Sequence, residues 1–243
     1  MTQRTTALVL SGGLSLGAYH AGAYAALAEA GGPLPDHVAG CSIGAVTAAV
    51  LAGSAPEDRV AALRRLWDAL TDALPDLPGA PIPLARALTW SAAARTGLFG
   101  RPGLFRPRLN LPSDPFPGLY DLSPLHRFLA ETVDFGRLNG GDIRVSLAAT
   151  DLVSGERVTW DTARGDRIGP DHVVASCALL PLFAPLAVEG RLLGDGGLSC
   201  NLPLDLVLGA PPPGDLLVIA SDLFPAPGRG PRACSAPWRG QAT

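Results

Sequence analysis

Val38-Ala39-Gly40-Cys41-Ser42-Ile43-Gly44-Ala45-Val46 decides the fold. It reads as a short apolar strand, then Gly-x-Ser-x-Gly, then the apolar start of a helix. A strand entering that pentapeptide and a helix leaving it define a nucleophile elbow, a sharp turn that lifts a serine hydroxyl above the sheet. Gly40 and Gly44 belong to the turn because a Cβ at either place would crowd the neighbouring strand and helix. The competing reading is an ordinary strand–helix loop in which Ser42 only caps the helix. Cys41, beside it, points to the opposite face of the strand and reads as core.

Upstream, Thr6 to Leu10 is a short apolar run of the kind buried on both faces of a parallel sheet. Ser11-Gly12-Gly13-Leu14-Ser15-Leu16-Gly17 follows, and Ala18 to Ala30 is Ala-rich and helical. Strand, glycine loop and helix aim backbone N–H groups at an anion. The loop lacks the G-x-G-x-x-G of a dinucleotide site, and the chain contains no Lys, which excludes a Walker loop, a Schiff base and a Ser–Lys dyad. The oxyanion of an acyl-transfer intermediate needs only two or three N–H donors and fits the loop. A right-handed strand–helix–strand unit places the two strands side by side and parallel, so the glycine loop and Ser42 meet at one sheet edge.

Downstream, Pro56 to Leu74 reads as a helix, Leu84 to Arg95 as a short helix, and residues 75–120 as an irregular inserted lobe or lid, dense in Gly, Pro and Arg. Phe99, Leu104, Phe105, Leu109 and Phe116 make the lobe apolar. Its underside either packs on the domain or meets lipid as a peripheral membrane contact. Asp121 to Pro124 caps a helix running to Val133. Ile143 to Thr150 and Glu156 to Trp160 read as paired strands, Pro170 to Leu180 as a helix, and Leu186 to Leu193 as a hairpin turning at Glu189-Gly190. Leu216 to Ala220 is the last strand. Residues 225–243 have the composition of a disordered tail.

With 243 residues, 47% hydrophobic, the chain is long enough for one well-filled domain. A net charge of −3 argues against a nucleic-acid partner. Cys41, Cys177, Cys200 and Cys234 lack metal-ligand or C-x-x-C spacing, so neither zinc nor disulfides are expected, and no cofactor is implied. No run reaches the ~18–20 apolar residues of a membrane span. The expected location is the cytoplasm, free or peripheral at a membrane.

Three separated motifs then align: Gly12-Gly13-x-x-x-Gly17, Gly40-x-Ser42-x-Gly44 and Asp195-Gly196-Gly197. In order and spacing they resemble the signature of the patatin-like phospholipases. Ala18-Tyr19, Ala175-Ser176, Pro181, Phe183-x-Pro185 and Asn201-x-Pro203 agree, while Leu119-Tyr120-Asp121, Ser123-Pro124-Leu125 and Val133-Asp134-Phe135 are similar to a bacterial acyl hydrolase subgroup. The resemblance covers residues 5–224. It implies a three-layer α/β/α fold with a mostly parallel central sheet and hydrolysis of lipid or other acyl esters. It also implies a Ser–Asp dyad, with Ser42 as nucleophile, Asp195 as general base, and the N–H groups of Gly12, Gly13 and Leu14 as oxyanion hole.

The chain departs from that pattern at Leu14, where the family carries a third consecutive glycine; a positive φ there would cost a leucine about 1–3 kcal/mol. It also has Leu16 where Arg or Lys is common. The structured sequence of the bacterial subgroup usually continues past Ser221-Asp222-Leu223-Phe224. These departures motivate a second reading, a catalytically impaired or truncated patatin-like protein that binds lipid without efficient turnover. A third is a Ser-His-Asp α/β-hydrolase, for which Asp151 and His172 follow Ser42 in the right order, although that fold reaches its elbow only after several strands.

Overall fold

The computed structural model describes residues 4–71, 81–108 and 118–224. The tail over 225–243, Leu109, Phe116, Cys234 and the proline-rich stretch before Pro81 lie outside the described residues.

The chain opens with β1 (Arg4–Leu10), α1 (Ala18–Glu29), β2 (His37–Cys41) and α2 (Ile43–Ala52), then α3 (Arg59–Leu70) and α4 (Ile82–Phe99). A two-stranded ribbon, β3 (Arg106–Pro107) and β4 (Tyr120–Asp121), precedes α5 (Ser123–Thr132) and α6 (Phe135–Leu138). β5 (Arg144–Asp151), β6 (Arg157–Asp161), α7 (Pro170–Ala175), β7 (Leu186–Val188), β8 (Arg191–Asp195), α8 (Asp205–Leu208) and β9 (Asp215–Ser221) complete it.

The main sheet has the order β7-β8-β5-β2-β1-β9, with β6 also paired to β5. β9, β1, β2 and β5 form a parallel core, and β6, β8 and β7 add antiparallel pairs at one side. Strand alternation assigns the two faces: Leu8 and Leu10 belong to the larger core cluster, Ala7 and Val9 to a smaller one. The larger face is covered by α1, α2, α3, α5 and α7. Every residue of α2 is buried, which suits a helix apolar all round. The smaller face is covered by α8 through Val207 and by Leu202, Leu204 and Leu206. Helices thus lie on both sides of a mostly parallel sheet, as expected.

One arrangement in this sheet matters most. β6 lies opposite residues 146–150 of β5 along one edge. A strand has two edges, so β2 (opposite 144–148) and β8 (opposite 149–151) share the other. They arrive from opposite directions, and their C-termini meet: Cys41 pairs with Ala148 and Asp195 with Ala149.

The lobe differs from its reading. Rather than being irregular, it contains an 18-residue helix, α4, longer at both ends than Leu84–Arg95. Pro81 and Pro83 stand at the helix start, where a missing N–H costs nothing. Ile82, Leu84, Trp90, Leu98 and Phe99 of α4 are exposed. At the other end of the lobe, Phe105, Tyr120 and Phe183 stack edge to face, and the Tyr120 hydroxyl donates to the Gly97 carbonyl at 2.8 Å. α3 stops at Leu70, short of Leu74. α7 stops at Ala175, short of Leu180, and Ser176, which follows, turns its hydroxyl to the carbonyl of Ala148 on β5 at 2.6 Å.

Far from the elbow, the buried His37 Nε2 donates to Ser146 Oγ at 2.7 Å, and that hydroxyl donates to Asp161 at 2.9 Å. Asp161 is also held by Arg144 at 2.6 Å. The order of donation fixes the His37 tautomer as Nε2–H.

Candidate active site

Ser42 sits between β2 and α2 with φ 53° and ψ −128°, a left-handed conformation that a non-glycine residue keeps only when its surroundings hold it there. Two features hold it. A Cβ on Gly44 would collide with the Leu10 carbonyl, and one on Gly40 would lie 2.5 Å from the Gly44 oxygen, so the absence of both lets strand and helix close on the turn. The Ser42 N–H donates to Ser176 Oγ at 2.8 Å, and Ser176 in turn donates to Ala148, so one buried hydroxyl ties the elbow to β5.

Asp195 ends β8 and is 3% exposed. Its Oδ1 accepts the Gly197 N–H at 2.7 Å, its N–H donates to Ala178 at 2.9 Å, and its carbonyl accepts the Thr150 hydroxyl at 2.9 Å. Its Oδ2 is buried and has no partner in hydrogen-bonding geometry. Burial raises the Asp195 pKa above the usual carboxylate value; the Ser42 hydroxyl and the Gly197 N–H pull it back down. Ser42 is therefore near enough to act on the carboxylate but does not close a full bond with it. Such contacts commonly tighten only when substrate is bound. A Cβ on Gly196 would strike the Ala148 carbonyl and lie 2.9 Å from Cys41 Cβ, which shows how closely the two strand ends abut.

The glycine loop lies against the same point. A Cβ on Gly12 would stand 3.0 Å from Ser42 Cβ. The loop is not free to offer all three expected donors: the Gly12 N–H bonds the Asn201 carbonyl at 3.1 Å. That corrects its place in the oxyanion hole. The cause is Asn201, which also accepts the Cys41 thiol at 3.0 Å and donates its amide to the Gly12 carbonyl at 3.3 Å. Among the described residues, the N–H groups of Gly13 and Leu14 have no hydrogen-bond partner. Leu14 has φ 51°, the left-handed conformation at issue in the sequence. Gly17 lets the loop's end close on α2, since a Cβ there would press on Ile43.

The remaining sequence candidates fall elsewhere. Cys41 is fully buried and its thiol is pushed up to about 12, chiefly by burial, which keeps it protonated and inert. His172 Nδ1 accepts the Gly169 N–H at 2.9 Å, and Nε2 faces Glu189 at 3.3 Å. Asp151 accepts the N–H groups of Val153 and Ser154. The pair needed for a Ser-His-Asp triad is thus committed to other partners. A cavity of about 430 Å³ between α5 and β7, lined by Arg108, Asp121, Ser123 and His126 among others, includes neither Ser42 nor Asp195. Among the described residues no cluster of His, Cys, Asp and Glu could hold a metal ion.

Ser176 and Asn201 are the residues whose roles sequence reasoning missed. Both stand in stretches that matched the family pattern, but a lone Ser or Asn carries no local sign of the backbone groups it will serve.

The fold and the turn define an α/β protein with a serine at a strained strand–helix turn, next to a glycine loop and to the strand end that carries a buried carboxylate. Residues 8–208 match the Patatin-like phospholipase family, and the chain belongs to it. No curated protein matches the chain. Among solved structures it is similar to VipD from Legionella pneumophila, with 19% sequence identity and a TM-score of 0.51. The match covers 89% of this chain but 49% of VipD, so the chain spans about half that protein's length. At that identity the likeness concerns the fold.

Proposed function

We propose that the chain is a lipid acyl hydrolase acting through a Ser42–Asp195 dyad. The observation that carries the reading is Asp195 Oδ2, a buried oxygen without a bonded partner, on a carboxyl group whose pKa the Ser42 hydroxyl helps to lower. A serine hydroxyl is a poor nucleophile until a base accepts its proton. Asp195 takes the Ser42 proton as Oγ attacks the ester carbonyl carbon, and the carbonyl oxygen becomes an oxyanion within reach of the Gly13 and Leu14 N–H groups. The tetrahedral adduct collapses to acyl-Ser42, and the leaving alkoxide takes the proton from Asp195 to depart as the alcohol. Water then gives a proton to Asp195 and attacks the acyl carbon. The fatty acid leaves, and Ser42 recovers its proton.

Burial of Asp195 serves this cycle, because a carboxylate whose pKa lies above its usual range is a better base for a hydroxyl. The family supports lipid esters as the substrate class. Profiling activity against esters of graded acyl length separates long-chain lipid esters from short soluble ones.

The test is labelling with a fluorophosphonate probe together with hydrolysis of p-nitrophenyl butyrate. Ser42→Ala should abolish both. Asp195→Asn should lower kcat by roughly 10²–10⁴-fold, the usual worth of a positioned general base. His172→Ala should keep near-normal activity. Full activity in Asp195→Asn, or its loss in His172→Ala, sinks the dyad. The second reading, lipid binding without efficient turnover, is favoured by the positive φ of Leu14 and would show as an unlabelled wild type.

A further inference from the structure

The surface around the dyad is unusual in its chemistry. Leu14, Leu16 and Tyr19 on the glycine loop and the start of α1, Leu198 after the Asp-Gly-Gly turn, and Phe224 after β9 are each between 46% and 66% exposed. They lie on three segments that converge on one point. Asn201 joins the Asp-Gly-Gly turn to Gly12, and the Leu223 N–H donates to Ser11 Oγ at 2.9 Å. Leu223 also packs on Gly13, where an added Cβ would stand 2.6 Å from its Cδ1.

The same surface lacks charge. No Arg, Asp or Glu occurs between Arg4 and Glu29, and His20 is buried. The solvent side of α1 is instead Ala18, Tyr19, Gly22, Ala23 and Ala26 until its last residue, Glu29, which pairs with Arg64 of α3 at the end away from the glycine loop, in a protein with 19 Arg and 22 acidic residues in all. Residues 196–204 add none. Across the converging segments the single charge is Asp222, an exposed carboxylate. An ordinary surface helix carries charge on its outer face. An exposed apolar patch of this kind marks a surface that meets something apolar.

We propose that this rim docks the protein on a zwitterionic lipid surface, with the glycine loop facing the lipid. The inference rests on the hydrolase reading for its choice of partner: the apolar surface is continuous with the candidate site, and that site's substrate class is lipid ester. The charge selects the kind of lipid. A rim without Arg and with one carboxylate gains nothing from anionic headgroups, whereas a polybasic patch would. Docking then depends on apolar burial and is insensitive to salt.

The experiment measures partitioning of Ser42→Ala protein, which binds without turnover, onto phosphatidylcholine vesicles with and without phosphatidylserine. The expected result is binding to phosphatidylcholine alone, unchanged by salt. Tyr19→Glu and Phe224→Glu should each weaken it by about tenfold or more, the worth of one large buried apolar side chain. Trp90→Glu on α4 should leave it unchanged, although Trp90 is 73% exposed. With Ser42 intact, Tyr19→Glu should hydrolyse p-nitrophenyl butyrate at the wild-type rate while losing activity on vesicles. No vesicle binding, a requirement for phosphatidylserine, or an equal loss in Trp90→Glu would each overturn the proposal. So would a dimer that Tyr19→Glu dissociates, since the rim would then face a second copy. A wild type inactive on the soluble ester counts against the hydrolase reading, whereas the partition measurement reports on docking alone.

Discussion

Ser176→Ala tests whether the elbow is held by one hydroxyl. Ser176 is fully buried, accepts the Ser42 N–H at 2.8 Å and donates to the Ala148 carbonyl at 2.6 Å. Alanine removes both bonds and leaves a backbone donor and a backbone acceptor without partners in a dry environment. Each such group costs about 1–3 kcal/mol, and some relaxation toward other partners is expected, so the loss of stability should be about 2–4 kcal/mol. For a domain of this size that is a fall in Tm of roughly 5–15 °C. The chemistry should suffer as well. Ser42 stays at φ 53° against a strain of about 1–3 kcal/mol, and the bond to Ser176 is part of what opposes it. Freed of that bond, the turn spends less time in its productive form, and kcat should fall by roughly ten- to a hundredfold with KM little changed. Thermal unfolding by circular dichroism and steady-state hydrolysis of a soluble ester read the two effects separately. A Tm within a degree of wild type together with a kcat within twofold would refute the reasoning, because it would mean the elbow needs no support from β5.

Two further predictions concern the other strained and buried groups. Leu14→Gly should leave the loop in place and raise stability by up to about 1 kcal/mol, since glycine takes a positive φ without penalty and the half-exposed leucine packs little; hydrolysis of a soluble ester should hold or rise, and a tenfold fall would show that the leucine side chain serves the site. His20 and His37 are held neutral, their pKa values pushed down to about 4 chiefly by burial, with Arg144 adding to the effect on His37. The folded state therefore binds fewer protons than the unfolded chain below the ordinary histidine value. Stability should be full above about pH 6.5 and should fall as pH drops toward 4, by about 3 kcal/mol for each histidine. Urea unfolding at pH 7 and pH 4.5 measures it, and equal midpoints would contradict the burial of these rings.

The residues show why one half of the site was legible in the sequence and the other was not. Gly40 to Gly44 spells out its turn locally: the glycines that permit close packing, the serine and both flanking elements lie within nine residues. β1 and β2 follow from short apolar runs and the handedness of their connection. Asp195 announces itself only through a family pattern, because what brings it to Ser42 is the pairing of β8 with β5, a contact between distant segments. Gly12 was misplaced for the same reason, since its N–H is claimed by Asn201, far away in the chain. α4 was underestimated because prolines at a helix start look the same in sequence as prolines that end one.

The end-to-end meeting of β2 and β8 along a single edge of β5 has a consequence for how such a protein can change. The separation of Ser42 and Asp195 is set by one step along β5, from Ala148 to Ala149, and by nothing in the chain that links them. Between Ala52 and Arg144 the polypeptide can lengthen, shorten or exchange its helices without altering that step, provided β5 keeps its place. Loop closure penalises added length only weakly. β5 is in this sense a ruler, and the lobe beyond it is free to be fitted to a different substrate while the chemistry stays where it is.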